Sequence, residues 1–275
     1  MNQSDILQFL EAVGRRPNRA LSQNFLVDEN IALKIVRTAD VSASDAVLEI
    51  GPGPGSLTVL LLEAGARVFA VEKDQVFAKE LSRFQTTDKR LFPFESDILK
   101  FDLSGLPTPM KVVANLPYHI TTPILEMLFE NRSRFTTLTL MVQTELAERM
   151  HASAGMKAFG SLSLFVQFHT ERLSSFKVAP SCFYPKPNVD STVLHLALRS
   201  PPIENSASFF ALVRRAFQQR RKMLRVSLQE FYESVKIEKA LIQADLKADA
   251  RPEALSLEKW LAFYKFVGNN APEIL

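Results

Sequence analysis

The sequence predicts an α/β fold, in which a parallel sheet carries helices on both faces and a small all-α domain follows. Short apolar segments of strand length alternate with amphipathic helical segments in the first half of the chain. A glycine-rich turn, Glu49-Ile50-Gly51-Pro52-Gly53-Pro54-Gly55, stands between the first strand and the next helix, as in many parallel sheets that bind nucleotide-like ligands. After Pro201-Pro202 the pattern is only helical. We therefore expect one domain over residues 1–200 and a second over residues 201–275.

The spacing of the apolar residues gives the order of the elements. Helices are expected over residues 4–13, 28–39, 56–64, 77–84 and 123–130, and strands over residues 46–50, 67–71, 91–95, 111–114 and 137–142. Two more apolar segments, 162–168 and 192–198, have no crossover helix between them. We expect them to be strands at the far edge of the sheet, one of them antiparallel, joined by a link over residues 171–190.

Composition excludes several classes of protein. The chain has 275 residues, of which 47% are hydrophobic, and this is enough for one large core and a smaller domain. A single cysteine, Cys182, excludes a disulfide framework and a cysteine-based metal site, and the four histidines have no metal-ligand spacing. We expect no metal. We also expect no signal peptide and no membrane span, because the longest apolar stretch covers only residues 57–62; a soluble, cytoplasmic protein is expected.

The net charge of +3 is unevenly distributed. Residues 201–275 hold twelve basic and nine acidic residues, whereas residues 1–200 are balanced. One helix is predicted to carry a basic cluster, and the segment over residues 14–24 is basic as well. Such clusters can contact phosphates, although a solvated helix face is the alternative. The cluster consists of Arg214, Arg215, Arg220, Arg221, Lys222 and Arg225, and the segment contains Arg15, Arg16 and Arg19.

The glycine turn favours an adenosine ligand that lacks phosphates. Glu72 lies 21 positions after Gly51, at the end of the next strand, where an acid accepts hydrogen bonds from ribose hydroxyls. Phosphate cradles need backbone N–H donors, but two positions of the turn are prolines. We therefore predict S-adenosylmethionine, with its ribose on Glu72, its adenine amine near Asp97 and its methionyl arm close to Gly51 and Gly53. A surface charge at position 72 and a turn or helix cap at position 97 are the alternatives.

The tetrapeptide Asn115-Leu116-Pro117-Tyr118 is suited to an amine-bearing nucleobase. The side-chain oxygen of Asn115 and the backbone carbonyl of Leu116 can accept hydrogen bonds from an exocyclic amine, and Pro117 holds the turn open. Tyr118 offers a ring for stacking. An ordinary turn from strand to helix is the alternative interpretation.

These motifs together identify a resemblance to a family. The chain resembles the bacterial small-subunit ribosomal RNA adenine dimethyltransferases, linked to kasugamycin sensitivity, from about residue 19 to about residue 266. Besides the two motifs above, the resemblance depends on four further segments. These are Gln23-Asn24-Phe25-Leu26, Val142-Gln143 with Glu148-Arg149, Phe183-Tyr184-Pro185-Lys186-Pro187-Asn188-Val189-Asp190-Ser191, and Ala216-Phe217-Gln218-Gln219-Arg220-Arg221-Lys222.

The resemblance implies a Rossmann-like class I methyltransferase sheet and a cofactor site made of Asn24, Leu26, Gly51, Glu72, Asp97 and Asn115. Asn24 and Leu26 come from the resemblance alone. It also implies N6,N6-dimethylation of two adjacent adenines in a 3′-terminal hairpin loop of 16S rRNA, within a small-subunit precursor. On this interpretation residues 1–200 form the catalytic domain with an N-terminal segment facing RNA, residues 201–275 bind RNA, and the protein is a monomer.

Further roles and alternatives concern the target base. Phe183 is expected to press on the methionyl end or on the base, or else to pack in the core. Four positions depart from the family pattern: Ser22 in place of Gly, His119 in place of Asn, and Met223 and Val226 where Thr and Asn are usual. The competing functions are a large-subunit rRNA adenine methyltransferase of the macrolide-resistance type and a non-enzymatic RNA-binding assembly factor.

Overall fold

The computed structural model describes residues 1–18, 23–204 and 206–267. Of His119, within these ranges, it describes the backbone but not the side chain. The predicted RNA contact Arg19 and the departure at Ser22 therefore lie outside the described residues. The chain divides into two units. The first contains Met1–Thr144 and Glu171–Leu198, and the second contains Glu145–Thr170 and Arg199–Leu275.

The first unit is built on a seven-stranded sheet and a two-stranded one. The strands in chain order are β1 (Phe25–Leu26), β2 (Ala46–Ile50), β3 (Arg67–Glu72), β4 (Leu91–Glu95), β5 (Met110–Asn115), β6 (Phe135–Gln143), β7 (Thr170–Val178), β8 (Phe183–Tyr184) and β9 (Ser191–Leu198). The large sheet has the order β4-β3-β2-β5-β6-β9-β7, with β2 to β6 parallel and β9 antiparallel to β6. The predicted α/β class is confirmed, and residues 192–198 do form an antiparallel strand, although β7 and not β9 lies at the edge of the sheet.

The helices of the first unit lie before the large sheet in the chain or connect its parallel strands. They are α1 (Gln3–Ala12), α2 (Glu29–Thr38), α3 (Thr58–Glu63), α4 (Gln75–Glu80) and α5 (Thr121–Glu130). Asp28 begins α2 by accepting the N–H of Ile31, and Asp74 begins α4 by accepting the N–H groups of Val76 and Phe77. All five residues of β2 are buried, as expected of a strand covered on both faces.

The second unit is helical. It contains α6 (Thr144–His151), α7 (Ser161–His169), α8 (Ala207–Gln218), α9 (Leu224–Ser227), α10 (Ser234–Gln243) and α11 (Leu257–Val267). Its core is aromatic, with Trp260 and Phe263 fully buried and Phe168 stacked on Phe209 at 5.6 Å between ring centroids. Among the described helices of both units, none is long and apolar enough to cross a membrane.

The strand predicted over residues 162–168 is wrong, because this segment forms α7. A short apolar run does not distinguish a buried strand from a buried helix. Here the side chain of Ser163 accepts the N–H of Gly160 and so caps the helix, and Phe168 packs in the aromatic core. The link predicted over residues 171–190 instead contains β7, whose mostly exposed side chains give no apolar pattern.

The basic cluster does not lie in one helix, as the sequence suggested. The helix α8 ends at Gln218, and Gln219 leaves the helical conformation at φ −119° and ψ 44°. The division into units also differs from a boundary at residue 200, because residues 145–170 belong to the second unit. The assignment of catalytic and RNA-binding roles to separate domains stays a prediction.

Candidate active site

A cavity of about 150 Å³ lies at the carboxyl ends of β2, β3 and β5 in the first unit. In parallel sheets, ligands bind outside this edge because the connecting loops meet there. Nine of the residues predicted from sequence line this cavity. They are Asn24, Leu26, Gly51, Gly53, Glu72, Asp97, Asn115, Leu116 and Tyr118.

Glu72 holds the glycine turn in place. One of its carboxylate oxygens accepts the N–H of Gly53 at 2.9 Å, and the other accepts the N–H of Asp74 at 2.8 Å. Gly53 has a φ of +54°, and a Cβ there would lie 3.2 Å from the ring of Phe25. Burial raises the pKa of Glu72. Each carboxylate oxygen retains acceptor capacity beyond these bonds, so the side chain can still accept from ribose hydroxyls.

Asp97 has a partner that sequence reasoning did not identify. Its Oδ2 accepts from the ammonium of Lys73 at 2.9 Å, and its Oδ1 accepts the N–H of Leu99 at 3.1 Å. The hydrogen bond from Lys73 lowers the pKa of Asp97, so the carboxylate remains ionised. Asp97 thus caps the following turn and also lines the cavity. The cap that the sequence offered as an alternative is therefore compatible with a role for Asp97 in binding a ligand.

Asn115 has its amide oriented by the backbone of Asn24. Its NH₂ group donates to the carbonyl of Asn24 at 3.1 Å. A carbonyl oxygen can only accept, so the nitrogen must face Asn24 and the amide oxygen is the acceptor of this side chain. Asn24, whose role came from the resemblance alone, therefore contacts the predicted catalytic residue directly.

The turn after Asn115 is fixed at both sides. The N–H of Leu116 donates to the carbonyl of Met141 on β6 at 3.1 Å, and Pro117 has φ −61° and ψ 126°. The hydroxyl of Thr121 donates to the carbonyl of Pro117 at 3.1 Å. Tyr118 opens a short 3₁₀ turn before α5, and its hydroxyl forms a hydrogen bond with that of Ser191 at 3.0 Å.

The small sheet brings the N-terminal residues to the cavity. In this sheet β1 pairs with β8, so that Leu26 lies opposite Phe183. The hydroxyl of Ser56 donates to the carbonyl of Leu26 at 2.8 Å. Dinucleotide-binding turns have their third glycine at this position, and here the serine side chain instead connects the turn to β1. Phe183 is 4% exposed, belongs to the hydrophobic core and is not among the residues that line the cavity. Core packing, the alternative interpretation of Phe183, describes its position, and its contact with a ligand or base stays a prediction.

Glu49 is a lining residue that the sequence analysis did not select. It is 1% exposed, and its Oε2 accepts the hydroxyl of Thr58 at 2.7 Å. Its Oε1 has no hydrogen-bond partner among the described residues. Burial, with the nearby charge of Glu72 adding to it, raises the pKa of Glu49 to about 8. An acid at the end of the first strand, two positions before Gly51, was the signal that could have identified it.

Comparison with known proteins decides the family. The family model described as ribosomal RNA adenine dimethylase matches residues 14–268. The chain belongs to this family. Ribosomal RNA small subunit methyltransferase A of Protochlamydia amoebophila is 48% identical to this dimethylase over 269 residues, with 95% of each chain covered. The protein of the same name from Chlamydia muridarum is 43% identical over 270 residues, with 95% of this chain and 96% of the relative covered.

Solved structures agree with the fold of the dimethylase. A dimethyladenosine transferase from Plasmodium falciparum superposes with a TM-score of 0.78 at 26% identity, over 87% of this chain and 95% of its own. The 23S rRNA methyltransferase ErmE superposes with a TM-score of 0.72 at 27% identity, over 89% of this chain and 99% of its own. The predicted family, enzyme class and methyltransferase fold are confirmed.

The residues of the dimethylase fit S-adenosylmethionine, the cofactor of this enzyme class. Glu72 and Asp97 line the cavity with two carboxylates, groups that can accept hydrogen bonds from a ribose and from an adenine amine, and the prolines of the turn provide no N–H groups for a pyrophosphate. The buried Oε1 of Glu49, which has no partner among the described residues, leaves a polar atom for a ligand that brings a hydrogen-bonding group to the cavity. Among the described residues, no group of three His, Cys, Asp or Glu side chains could hold a metal ion.

The predicted RNA contacts of the dimethylase fall into two classes. Arg16, Arg221 and Lys222 are exposed. Arg15 is exposed too, with its guanidinium 3.8 Å from the carboxylate of Asp74. Arg220 differs, because its guanidinium pairs with Glu253 and donates to the carbonyl of Lys157 at 2.9 Å. It therefore joins segments of the second unit to each other.

Proposed function

We propose that this protein transfers methyl groups from S-adenosylmethionine to N6 of two adjacent adenines in a 3′-terminal hairpin loop of 16S rRNA. The product of each complete reaction is N6,N6-dimethyladenosine. The single observation that carries the proposal is the amide of Asn115, which Asn24 orients at the cavity that Gly51, Glu72 and Asp97 also line.

The residues act by position and by charge. The lone pair of an adenine amine is delocalised into the ring, and acceptors at its hydrogens draw it towards tetrahedral geometry. The amide oxygen of Asn115 and the carbonyl of Leu116 are these acceptors, and Tyr118 stacks on the base. S-adenosylmethionine supplies an electrophilic methyl group when bound. No strong base is needed, since the amine releases its proton readily once it is alkylated.

The substrate follows from the relatives and from the chemistry of the base. Relatives that are 41% to 48% identical carry the name of a small-subunit methyltransferase, whereas ErmE is 27% identical. An adenine must leave its stack to enter the cavity, so a loop is favoured over a helix. The exposed cations Arg221 and Lys222 can contact RNA phosphates. A precursor of the small subunit as substrate, a monomeric state and a cytoplasmic location belong to the same proposal.

Two substitutions at one position test the chemistry. Asn115→Ala removes the acceptor, and kcat should fall by about 10² to 10³-fold. The dissociation constant for S-adenosylmethionine, measured by calorimetry, should change far less. Asn115→Asp places a carboxylate oxygen against the carbonyl of Asn24, which repels it. If the residue positions the amine, the Asp variant also loses activity; if it served as a base, Asp would retain it.

A second experiment tests the substrate. Purified protein is incubated with labelled S-adenosylmethionine and unmethylated small or large subunits, and the labelled nucleosides are identified by mass spectrometry and mapped by sequencing. We expect N6,N6-dimethyladenosine only in 16S rRNA. Label in 23S rRNA would favour the macrolide-resistance type of enzyme. Failure to bind S-adenosylmethionine at all would favour a non-enzymatic assembly factor.

A further inference from the structure

Tyr118 lines the cavity, and its hydroxyl, at the far end of the side chain, forms one hydrogen bond. Its hydroxyl lies 3.0 Å from that of Ser191. A phenol that is partly buried needs a partner for its hydroxyl, and this bond provides one. The tyrosine stands in a short 3₁₀ turn between β5 and α5, so its backbone is not part of a strand ladder or a long helix.

Ser191 stands on a rigid support. It is 0% exposed and is the first residue of β9, where it lies opposite Gln143 of β6. The preceding residue, Asp190, accepts the N–H of Thr144 at 2.9 Å, which continues the pairing beyond the strand. The hydroxyl of Tyr118 is thus bonded to a fully buried side chain of the large sheet, and this bond restricts the position of its ring.

We propose that Ser191 is a positioning residue, whose hydroxyl holds the ring of Tyr118 at the angle that the target base needs for stacking. This inference rests on the proposed function, in which Tyr118 stacks on the adenine. A ring held at one angle keeps the stacked base in the orientation that methyl transfer needs. The loss of the anchor should therefore affect the chemical step rather than cofactor binding.

A neighbouring pair of hydroxyls provides a matched control. Thr192 follows Ser191 in β9, so its side chain points to the opposite face of the sheet. Its hydroxyl lies 2.9 Å from that of Thr144. The two hydroxyl pairs have almost the same length, but neither Thr144 nor Thr192 lines the cavity. Thr192→Val removes a hydroxyl with little change in shape.

The test is a double-mutant cycle with Ser191→Ala and Tyr118→Phe. Each variant deletes one end of the same hydrogen bond. We expect each to lower kcat for rRNA methylation about three- to tenfold, and the double variant to lose no more than the single ones. KM for RNA and the dissociation constant for S-adenosylmethionine should stay within twofold, and Thr192→Val should retain full kcat.

The outcomes separate this inference from the proposed function. Three results would each overturn the positioning role. They are losses of kcat that multiply in the double variant, full kcat of Ser191→Ala, and a loss of kcat in Thr192→Val equal to that in Ser191→Ala. If Ser191→Ala fails to fold, the cycle is replaced by Tyr118→Phe alone, which keeps the serine: unchanged kcat would overturn the role, and a reduced kcat with unchanged KM would support it. A wild-type protein that methylates no rRNA would refute the proposed function instead.

Discussion

The buried carboxyl of Glu49 predicts a stability that depends on pH. In an unfolded chain the group ionises near its ordinary pKa of 4.5, and in the folded protein burial raises this pKa to about 8. The free energy of unfolding is therefore larger at a pH where this carboxyl is protonated than at a pH where it is ionised. The stability is fully present below pH 4.5 and is lost as the pH rises towards 8, because the unfolded chain then releases a proton that the folded one retains.

The size of the effect follows from the shift. One pKa unit corresponds to 1.36 kcal/mol, so raising the pH from 5 to 8 should remove roughly 3 to 4 kcal/mol of unfolding free energy. This is a large fraction of the roughly 5 to 15 kcal/mol by which proteins are stable. Glu49→Gln eliminates the titration but retains an oxygen that accepts from the hydroxyl of Thr58.

The assay compares wild-type and Glu49→Gln proteins by thermal unfolding without cofactor, at half-unit steps from pH 5 to pH 8.5. Contributions of titrating groups that do not interact with Glu49 are common to both proteins and cancel in the difference, so that the difference reports Glu49 together with its electrostatic coupling to Glu72. We expect Tm of the wild type to fall relative to the variant by roughly 7 to 14 °C across the range. The unpaired amide of the variant adds a cost that is independent of pH, so the slope of the difference is the diagnostic quantity.

An exposed carboxylate on α5, Glu130, provides the control, and Glu130→Gln should follow the wild-type profile because the side chain is not buried. A difference between wild type and Glu49→Gln that stays constant from pH 5 to pH 8 would refute the reasoning. It would mean that the carboxyl is solvated or paired in solution and that its burial has no effect on its ionisation.

The other predictions concern the second unit and the glycine turn. Arg220→Ala should lower the unfolding free energy by about 1 kcal/mol, since it removes a half-exposed ion pair with Glu253 and a hydrogen bond. Arg221→Ala should leave Tm unchanged but weaken RNA binding and reduce the salt dependence of that binding. A loss of stability in Arg221→Ala and a loss of RNA binding alone in Arg220→Ala would contradict the prediction. Gly55→Ala should destabilise the protein by about 1 to 3 kcal/mol, because φ is +95° and the new Cβ would overlap the ring of Phe84; an unchanged urea midpoint would show that the turn relaxes freely.

The elements that could be predicted from sequence are those whose information is local. The five parallel strands were located within about two residues of their observed ends, because each contains a short run of mostly apolar residues, whether the strand is buried throughout like β2 or mostly exposed like β4. Glu72 could be matched to the glycine turn by spacing alone, and the two prolines excluded a pyrophosphate. The errors concern segments in which local patterns are ambiguous. Residues 162–168 are apolar in either state, and β7 is too exposed to show a pattern.

Arg220 illustrates how distant contacts decide an element. The run Gln218-Gln219-Arg220-Arg221-Lys222 consists of good helix formers, and propensity alone predicts a continuous helix. The helix nevertheless ends at Gln218, and Arg220 pairs with Glu253, more than thirty residues away. Because that pairing engages one of the three predicted RNA contacts in this run, the tertiary structure also changes which cations remain for phosphates.

The sequence by itself determined the fold class and predicted the edge at which the cavity lies and the motif proposed to receive the base, because each depends on a period or spacing within a few tens of residues. Only the tertiary structure decided how that edge is completed. The carbonyl of Asn24 orients Asn115 across 91 positions of the chain, and Ser191 anchors Tyr118 across 73. Such contacts depend on how the strands are ordered in the sheet, and no local pattern of residues records that order.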